Sequence, residues 1–418
     1  MMREAKSSGI AWIGTIPKCW ETDKLKYHLR RNEPRNPGDV VVLSLYRELG
    51  VIPKDSRDDN HNVTSEDTSK YKYVRPGDFV INKMKAWQGS VAVSEYEGIV
   101  SPAYFVYEFT DDTIFKRYFH YLLRSCYKDE FMRLSGGIRV GQWDLPADAL
   151  ENTLILIPPM DEQCRIADFL DAKCAEIDAL TADIQTQIDT LEQYKRSVIT
   201  EIVTKGLNPN AEMKDSGIQW IGNMPAHWDV VRGKYILHYM QKPVREDDGV
   251  ITCFRDGEVT LRSNRREDGF TMSDKEIGYQ GIDVGDLVVH GMDGFAGSIG
   301  ISDSRGKASP VLNVLETDQN KRYIMYYLRS MAYSDVFLAL ATGIRVRSCD
   351  LRWNKLAELS YPVPPLDEQN AIVKHIDSVL SKADAVIADK KAQLATLDEY
   401  KKSLIFEYVT GKKEVPVS

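Results

Sequence analysis

Two short stretches of the sequence combine cations with residue types that contact nucleic acids. Lysine and arginine neutralise phosphates, an amide side chain can pair with adenine, and a planar ring can stack on a base. The segment "NKMKAWQG" holds the first such group: Lys83, Lys85, Trp87 and Gln88. The segment "RSNRRED" holds the second: Arg262, Asn264, Arg265 and Arg266. Both are predicted DNA contacts.

Glycine-flanked loops supply a third group of candidates, because backbone without side chains can approach DNA closely. The segments "GGIRVGQW" and "GIRVRS" contribute Arg139, Gln142, Arg345 and Arg347. Ordinary solvated surface charge is the alternative for each of these positions. The net charge of −8 is not typical of a nucleic-acid binder. Residues 1–158, however, carry equal numbers of acidic and basic residues, so a basic face there is compatible with the sequence.

The sequence contains partial matches to catalytic motifs, but each match lacks a required residue or spacing. "IPPMDEQ" and "VPPLDEQ" lack the polar residue before the prolines and the ring after them that an amino-methylating enzyme needs. "GISDSRGKAS" fails the spacing of a phosphate-binding loop and lacks its final Ser or Thr. The cysteines form no CxxC pair and the histidines no paired-ligand spacing. The sequence therefore predicts no catalytic residue and no metal site.

A long internal repeat organises the chain. "SGIAWIGTIPKCW", from Ser8 to Trp20, recurs as "SGIQWIGNMPAHW" from Ser216, an offset of 208 residues. Further along, "PPMDEQ" at Pro158 recurs as "PPLDEQ" at Pro364, and "YKRS" as "YKKS", at an offset of 206. A period this long indicates duplicated domains rather than a solenoid.

Each copy combines a mixed region with a long helix. Short apolar runs bounded by Pro, Gly and Asp predict strands and turns, and "PPMDEQ" predicts a helix start at Asp161 or Glu162. Gly206, Asn208 and Pro209 predict the end of that helix, giving a rod of ~65 Å. The predicted division is a first head (1–158), a first spacer helix (159–207), a second head (208–363) and a second spacer helix (364–418).

Both predicted helices carry an apolar heptad seam. It consists of Leu170, Ile177, Ile184, Leu191 and Val198 in the first helix and Leu380, Ile387, Leu394, Leu397 and Leu404 in the second. An ordinary buried helix face is one explanation; pairing with another molecule is a second. The two matching copies favour antiparallel pairing within the chain. The predicted fold is therefore α+β: two mixed α/β heads alternating with two long helices that form an antiparallel coiled coil with two-fold pseudo-symmetry.

Targeting and membrane signals are lacking in the sequence as printed. It contains no apolar run near the ~20 residues that span a bilayer, and "MMREAKSSGI" lacks the apolar stretch of a signal peptide. The expected location is the cytoplasm, with no membrane partner.

The two copies of "WIG..P..W", each leading to "PP[ML]DEQ", a heptad helix and "YK[RK]S[VL]I", resemble the specificity subunit of type I restriction-modification systems. The resemblance covers essentially the whole chain. It implies two target-recognition domains that each read one half of a bipartite, asymmetric sequence in double-stranded DNA, held apart by paired helices.

The same resemblance implies partners and cofactors. The expected partners are two methyltransferase subunits, which use S-adenosylmethionine to methylate adenine N6, and restriction subunits, which use ATP and Mg. This chain itself is expected to be non-catalytic and to bind no cofactor. Three alternatives stay open: a specificity subunit of another methyltransferase-containing defence system, a non-enzymatic coiled-coil adaptor, and an autonomous methyltransferase or nuclease, for which the motifs are lacking.

Overall fold

The computed structural model describes residues 3–38, 40–47, 49–56, 64–65, 67–137, 143–265, 276–340 and 351–416. The chain forms two compact units. The first consists of two separate stretches of sequence, and the second is continuous. The first unit contains Met1–Ile184 and Ala392–Ser418, and the second contains Gln185–Lys391. This division cuts within each long helix, whereas the four predicted segments follow the sequence repeat.

The first head is a mixed α/β structure whose strands are short because turn residues interrupt the apolar runs. Its strands are β1 Ala5–Ser7, β2 Thr15–Pro17, β3 Glu21–Lys24, β4 Leu29–Arg31, β5 Leu43–Tyr46, β6 Gly50–Pro53, β7 Lys72–Val74, β8 Phe79–Asn82, β9 Val91–Val93, β10 Gly98–Val100, β11 Tyr104–Phe109 and β12 Leu154–Ile157. Its helices are α1 Lys116–Cys126, α2 Lys128–Leu134 and α3 Ala147–Glu151. The long helix α4, Met160–Lys205, follows.

The second head repeats this order. Its strands are β13 Met213–Asp215, β14 Asn223–Pro225, β15 Asp229–Arg232, β16 His238–Met240, β17 Ile251–Cys253, β18 Val259–Leu261, β19 Gln280–Ile282, β20 Leu287–His290, β21 Ile299–Ile301, β22 Gly306–Ala308, β23 Leu312–Glu316 and β24 Ser360–Val363. Its helices are α5 Lys321–Tyr333, α6 Val336–Ala339 and α7 Trp353–Leu356, and the second long helix, α8, spans Leu366–Val409.

The sheets of the two heads match strand for strand. A four-stranded antiparallel sheet has the order β4-β11-β8-β9 in the first head and β16-β23-β20-β21 in the second. Four further two-stranded pairings also correspond, among them the hairpins β5-β6 and β17-β18. In these hairpins Leu45 lies opposite Val51 and Cys253 opposite Val259, so the register keeps the 208-residue offset.

Parts of both long helices run side by side in each unit. In the first unit the rings of Phe169 and Tyr408 lie 4.5 Å apart, and Lys401 Nζ lies 2.6 Å from Asp178 Oδ1. In the second unit Lys195 Nζ lies 2.6 Å from Asp384 Oδ1, and Lys390 donates to Gln187. Residue numbers rise along one helix as they fall along the other, so the segments are antiparallel within each unit.

The seam residues are shielded from solvent to different degrees. Leu170, Ile177 and Leu404 are buried in the main core of the first unit, and Leu397 packs against it. Leu380 packs against the main core of the second unit. Ile184 and Ile387 are also buried, while Leu191, Val198 and Leu394 are half-buried. This burial is consistent with the apolar pattern, and the predicted coiled coil remains a prediction.

Candidate nucleic-acid interface

The repeated motifs position each head on its long helices. In the first unit the Trp20 Nε1–H donates to Glu162 Oε2 over 3.0 Å, and both side chains are buried. Arg3 also donates to Glu162. Because a buried carboxylate needs hydrogen-bond donors, the tryptophan of the repeated phrase and the glutamate of "PPMDEQ" satisfy each other.

The next residue of that motif fixes the loop before α1. Gln163 Nε2 donates to the carbonyl oxygens of Pro158 and Thr113, each over 2.8 Å, and Gln163 Oε1 accepts from the Phe115 N–H. The side chain is almost fully buried, and these bonds satisfy both of its amide protons and one lone pair of its oxygen. The motif is therefore a structural connection between head and helix.

The second unit repeats the connection. Trp228 Nε1 donates to Glu368 Oε2 over 3.1 Å. Gln369 Nε2 donates to the Pro364 carbonyl over 2.9 Å, and Gln369 Oε1 accepts from the Asn320 N–H. Sequence reasoning found both motifs as repeats but did not predict that they contact each other.

The predicted contacts of the first head lie on the turn after β8, where Ala86–Gln88 form one 3₁₀ turn. Lys85 is exposed there. Lys83 Nζ forms an ion pair with Asp144 Oδ2 at 2.9 Å. Trp87 is half-buried, donates from Nε1 to the Met84 carbonyl over 3.1 Å, and packs against Trp143. The Trp87 ring is thus partly used within the head.

The predicted contacts of the second head follow β18, where Arg262–Asn264 form a 3₁₀ turn. Arg262 Nε donates to Thr252 Oγ1 over 3.3 Å, and Asn264 Nδ2 donates to Thr260 Oγ1 over 2.9 Å. Arg265 pairs with Asp256 at 2.6 Å and with Glu258 at 3.0 Å. The hydrogen bond to Asp256 raises the pKa of the Arg265 guanidinium.

Five predicted contacts fall outside the described residues: Arg139, Gln142, Arg266, Arg345 and Arg347. The role of all twelve predicted contacts stays a prediction.

A cleft in the second head lies beside the hairpin β17-β18. It has a volume of 710 Å³ and is lined by Arg255, Arg262, Arg265, His290 and Asp293, with Ser298 among the remaining residues. Three arginines and one histidine make this cleft rich in hydrogen-bond donors. Sequence reasoning selected Arg262 and Arg265 but missed Arg255, His290 and Asp293. The signal that would have found Arg255 is the recurrence of "YRE" from Tyr46 as "FRD" from Phe254.

His290 has a defined tautomer in this cleft. Its Nδ1 accepts from the backbone N–H groups of Met292 and Asp293, over 3.2 and 2.9 Å. Because Nδ1 accepts these two bonds, the proton of the neutral ring lies on Nε2, and burial lowers the pKa of His290, which favours the neutral form. His290 therefore presents an N–H donor from its Nε2 edge.

Among the described residues, no group of His, Cys, Asp and Glu side chains could hold a metal ion. None of the described helices is both long and apolar enough to cross a bilayer.

Comparison with known proteins relates this chain to one class. Residues 28–190 match the family described as the type I restriction modification DNA specificity domain. The putative type I restriction enzyme MjaX specificity subunit of Methanocaldococcus jannaschii is 24% identical, with 96% of each chain covered. The MjaVIII specificity subunit of the same organism is also 24% identical, with 96% of this chain and 94% of the relative covered.

The fold has a counterpart among solved structures. A chain from a study of complex assembly and conformational transition in the type I R-M system superposes with a TM-score of 0.68, at 16% identity. The superposition covers 95% of this chain and 99% of the other. The α+β fold is therefore that of a known type I system chain.

The matched domain and the end-to-end similarity therefore relate the chain to the specificity subunits of type I restriction-modification systems.

Proposed function

We propose that the two heads read the two unlike halves of a bipartite, asymmetric DNA target. The observation that carries this proposal is the duplication: both heads share strand order and head-to-helix contacts, yet the segments 36–70 and 244–275 diverge in sequence. Surfaces that bind different base pairs need different side chains, whereas the scaffold that presents them does not. The matching domain description supports DNA as the ligand.

The long helices set the distance between the half-sites in this proposal. Helices α4 and α8 contain 46 and 44 residues, about 65 to 70 Å each at 1.5 Å per residue. We propose that they pair as an antiparallel coiled coil and relate the units by an approximate two-fold axis. Such an axis matches the local two-fold symmetry of duplex DNA.

Catalysis belongs to partner subunits in this proposal. The chain docks two copies of an adenine-N6 methyltransferase that uses S-adenosylmethionine, and restriction subunits that use ATP and Mg, all in the cytoplasm. It binds neither cofactor itself. The relatives are named as specificity subunits, which agrees with a non-catalytic role.

Exposed aromatic residues that recur in both units support docking of two identical partners. Tyr27 and Tyr235 occupy equivalent positions and are 60% and 71% exposed; Tyr194 and Tyr400 are likewise equivalent, and are 51% and 54% exposed. Each unit thus presents the same two rings to solvent, and exposed aromatic residues are enriched at protein interfaces.

Head exchange tests the reading of DNA. Replacing residues 1–158 by the first head of another specificity subunit should change one half of the methylated sequence in single-molecule maps of methylated adenines. The second half should stay as it was. A change in both halves would refute the assignment of one half-site to each head.

Tyrosine substitutions test the docking. Tyr194→Ala should reduce the methyltransferase content of the purified complex from two copies to one, and the double variant with Tyr400→Ala should retain none. Tyr96→Ala is the matched control, because Tyr96 is 43% exposed but its equivalent in the second head is Ser304. Full methyltransferase content in the double variant would exclude this surface.

A further inference from the structure

An arginine follows the same hairpin strand in both heads, within segments that otherwise diverge. Arg47 comes directly after β5, and Arg255 lies two residues after β17. Their positions differ by 208, the offset that the register of both hairpins confirms. Both arginines are exposed. Retention of one residue at equivalent exposed sites indicates a task that both heads share.

In the second head the arginine is held by a carboxylate. Arg255 Nη2 donates to Asp293 Oδ1 over 3.2 Å, and Asp293 immediately precedes the 3₁₀ turn Gly294–Ala296. The hairpin and this turn touch through backbone: a Cβ atom on Gly297 would lie 2.7 Å from the Arg255 carbonyl oxygen. The close approach fixes where the Arg255 side chain starts, at the edge of the 710 Å³ cleft.

In the first head Gln88, rather than an aspartate, accepts the hydrogen bond from the arginine. Arg47 Nη2 donates to Gln88 Oε1, and Gln88 ends the equivalent 3₁₀ turn, Ala86–Gln88. Arg124 donates to the Arg47 carbonyl, which anchors the backbone of the hairpin. Each head therefore orients an exposed guanidinium with an acceptor from the turn that follows the central strand β8 or β20.

We propose that Arg47 and Arg255 are specificity-determining residues, each reading one guanine in the half-site of its own head. This inference rests on the proposed function. A guanidinium has five N–H donors in a planar fork, and one bond to Gln88 or Asp293 leaves a second edge to pair with guanine O6 and N7. A phosphate contact needs charge but no such orientation, so the intramolecular acceptor favours base reading.

The residues around the two arginines differ between the heads, so each head can recognise different base pairs next to the guanine. His290, with its Nε2–H donor, occupies the position that Asn82 holds in the first head, and Asp293 occupies that of Lys85. The backbone role of this position is shared, since the Met84 N–H donates to Asn82 as the Met292 N–H donates to His290. One guanine-reading arginine can thus be combined with different neighbours for the adjacent base pairs.

The test uses the full chain in its native host, with single-molecule mapping of methylated adenines. Arg255→Lys keeps the charge but loses the planar fork. It should relax discrimination at one guanine position of one half-site by about ten-fold to a hundred-fold and leave the other half-site intact. Arg47→Lys should relax one guanine position in the opposite half-site. Arg322→Lys is the control, because Arg322 pairs with Asp377 at 2.6 Å and does not line the cleft.

The outcomes separate the inference from the function it rests on. A wild-type methylation map without a bipartite motif would contradict the proposed function. A wild-type bipartite motif that Arg255→Lys leaves unchanged would overturn the inference alone. So would a uniform loss of methylation at all sites with a smaller salt dependence of DNA binding, because that pattern identifies a phosphate contact. Melting temperatures equal to wild type confirm that the variants fold.

Discussion

At the scale of single residues, the residues that recur most clearly in the sequence have structural roles. Trp20 and Trp228 are completely buried, and each donates to the glutamate of a "PPxDEQ" motif. These residues were prominent in the sequence because they recur, and recurrence alone does not distinguish a binding surface from a core contact. The half-buried residues that orient Arg47 and Arg255 differ between the copies: Gln88 was predicted as a DNA contact, and its bond to Arg47 and the role of Asp293 were not predicted.

Removing the buried glutamate should destabilise the first unit. Glu162→Ala leaves the Trp20 N–H buried without an acceptor, and the expected loss is about 1.5 to 3 kcal/mol in the free energy of unfolding. Native-state hydrogen exchange of the full chain measures that loss. Asp161→Ala is the control: it removes an adjacent, exposed carboxylate that pairs with Arg165 in an i,i+4 contact, which is worth about 0.5 kcal/mol or less. Equal effects of both substitutions would contradict the structural role of Glu162.

Protonation of His120 should weaken the first unit at acidic pH. Burial lowers the pKa of His120 to about 4, and the neighbouring Arg124 guanidinium acts in the same direction. The unfolded chain binds this proton near the ordinary pKa of ~6.5. Between those values the unfolded state holds more protons, so the contribution of His120 is complete above pH 6.5 and is lost as the pH falls towards 4.

The measurement is the free energy of unfolding of wild type and His120→Gln at pH 7 and pH 5. Wild type should lose more stability than the variant over this interval, and the NMR titration of the His120 ring should have its midpoint near pH 4. A ring midpoint near 6.5 would show that the folded chain does not disfavour the charged form.

At the scale of elements, the long helices follow the sequence pattern closely. Helix α4 spans Met160–Lys205, where the sequence predicted a start at Asp161 or Glu162 and an end near Gly206. Two prolines before the first turn, acidic residues within it and a glycine after the last turn are local signals, so they can be read without knowing the fold. Gly206 has φ +73°, the left-handed conformation expected after a helix end.

A charge in the apolar seam should disrupt the first unit. Ile177 is 8% exposed and lies in a core that includes Leu170 and Leu404. Ile177→Asp would bury an unpaired carboxylate, at a cost of about 3 kcal/mol or more. Ala179→Asp, two residues along the same helix at an exposed position, should change stability by about 0.5 kcal/mol or less. Thermal unfolding of both variants measures the difference, and equal melting temperatures would exclude burial of the seam at Ile177.

At the scale of the whole molecule, the first unit is completed by residues from a distant part of the sequence. The last segment of the chain belongs to the first unit. There the Tyr118 O–H donates to the Val409 carbonyl over 3.0 Å, and Lys412 donates to the carbonyl oxygens of Ile13 and Thr15. In the second unit Tyr323 makes the equivalent bond to the Val203 carbonyl over 3.1 Å.

Truncation after Lys391 should therefore damage the beginning of the chain. Removing residues 392–418 takes Leu404, Tyr408 and Val409 out of the core of the first unit. Hydrogen exchange around Tyr118 and Trp20 should accelerate by at least ten-fold, while the region around Trp228 and Tyr323 should keep its protection. Unchanged exchange near Tyr118 would show that the terminal segment contributes nothing to the first unit, and comparable acceleration near Tyr323 would show that the effect is not local.

The sequence by itself determined the duplication, the mixed heads and the two long helices. These follow from periodicity and from turn and cap residues, which act over a few neighbouring positions. Tertiary structure alone decided that Trp20 meets Glu162, that residues 392–418 complete the first unit, and that Gln88 and Asp293 orient equivalent arginines. Those contacts join residues from about 40 to almost 400 positions apart. Local patterns carry no information about such partners, because burial and hydrogen-bond satisfaction select them only when the chain is folded.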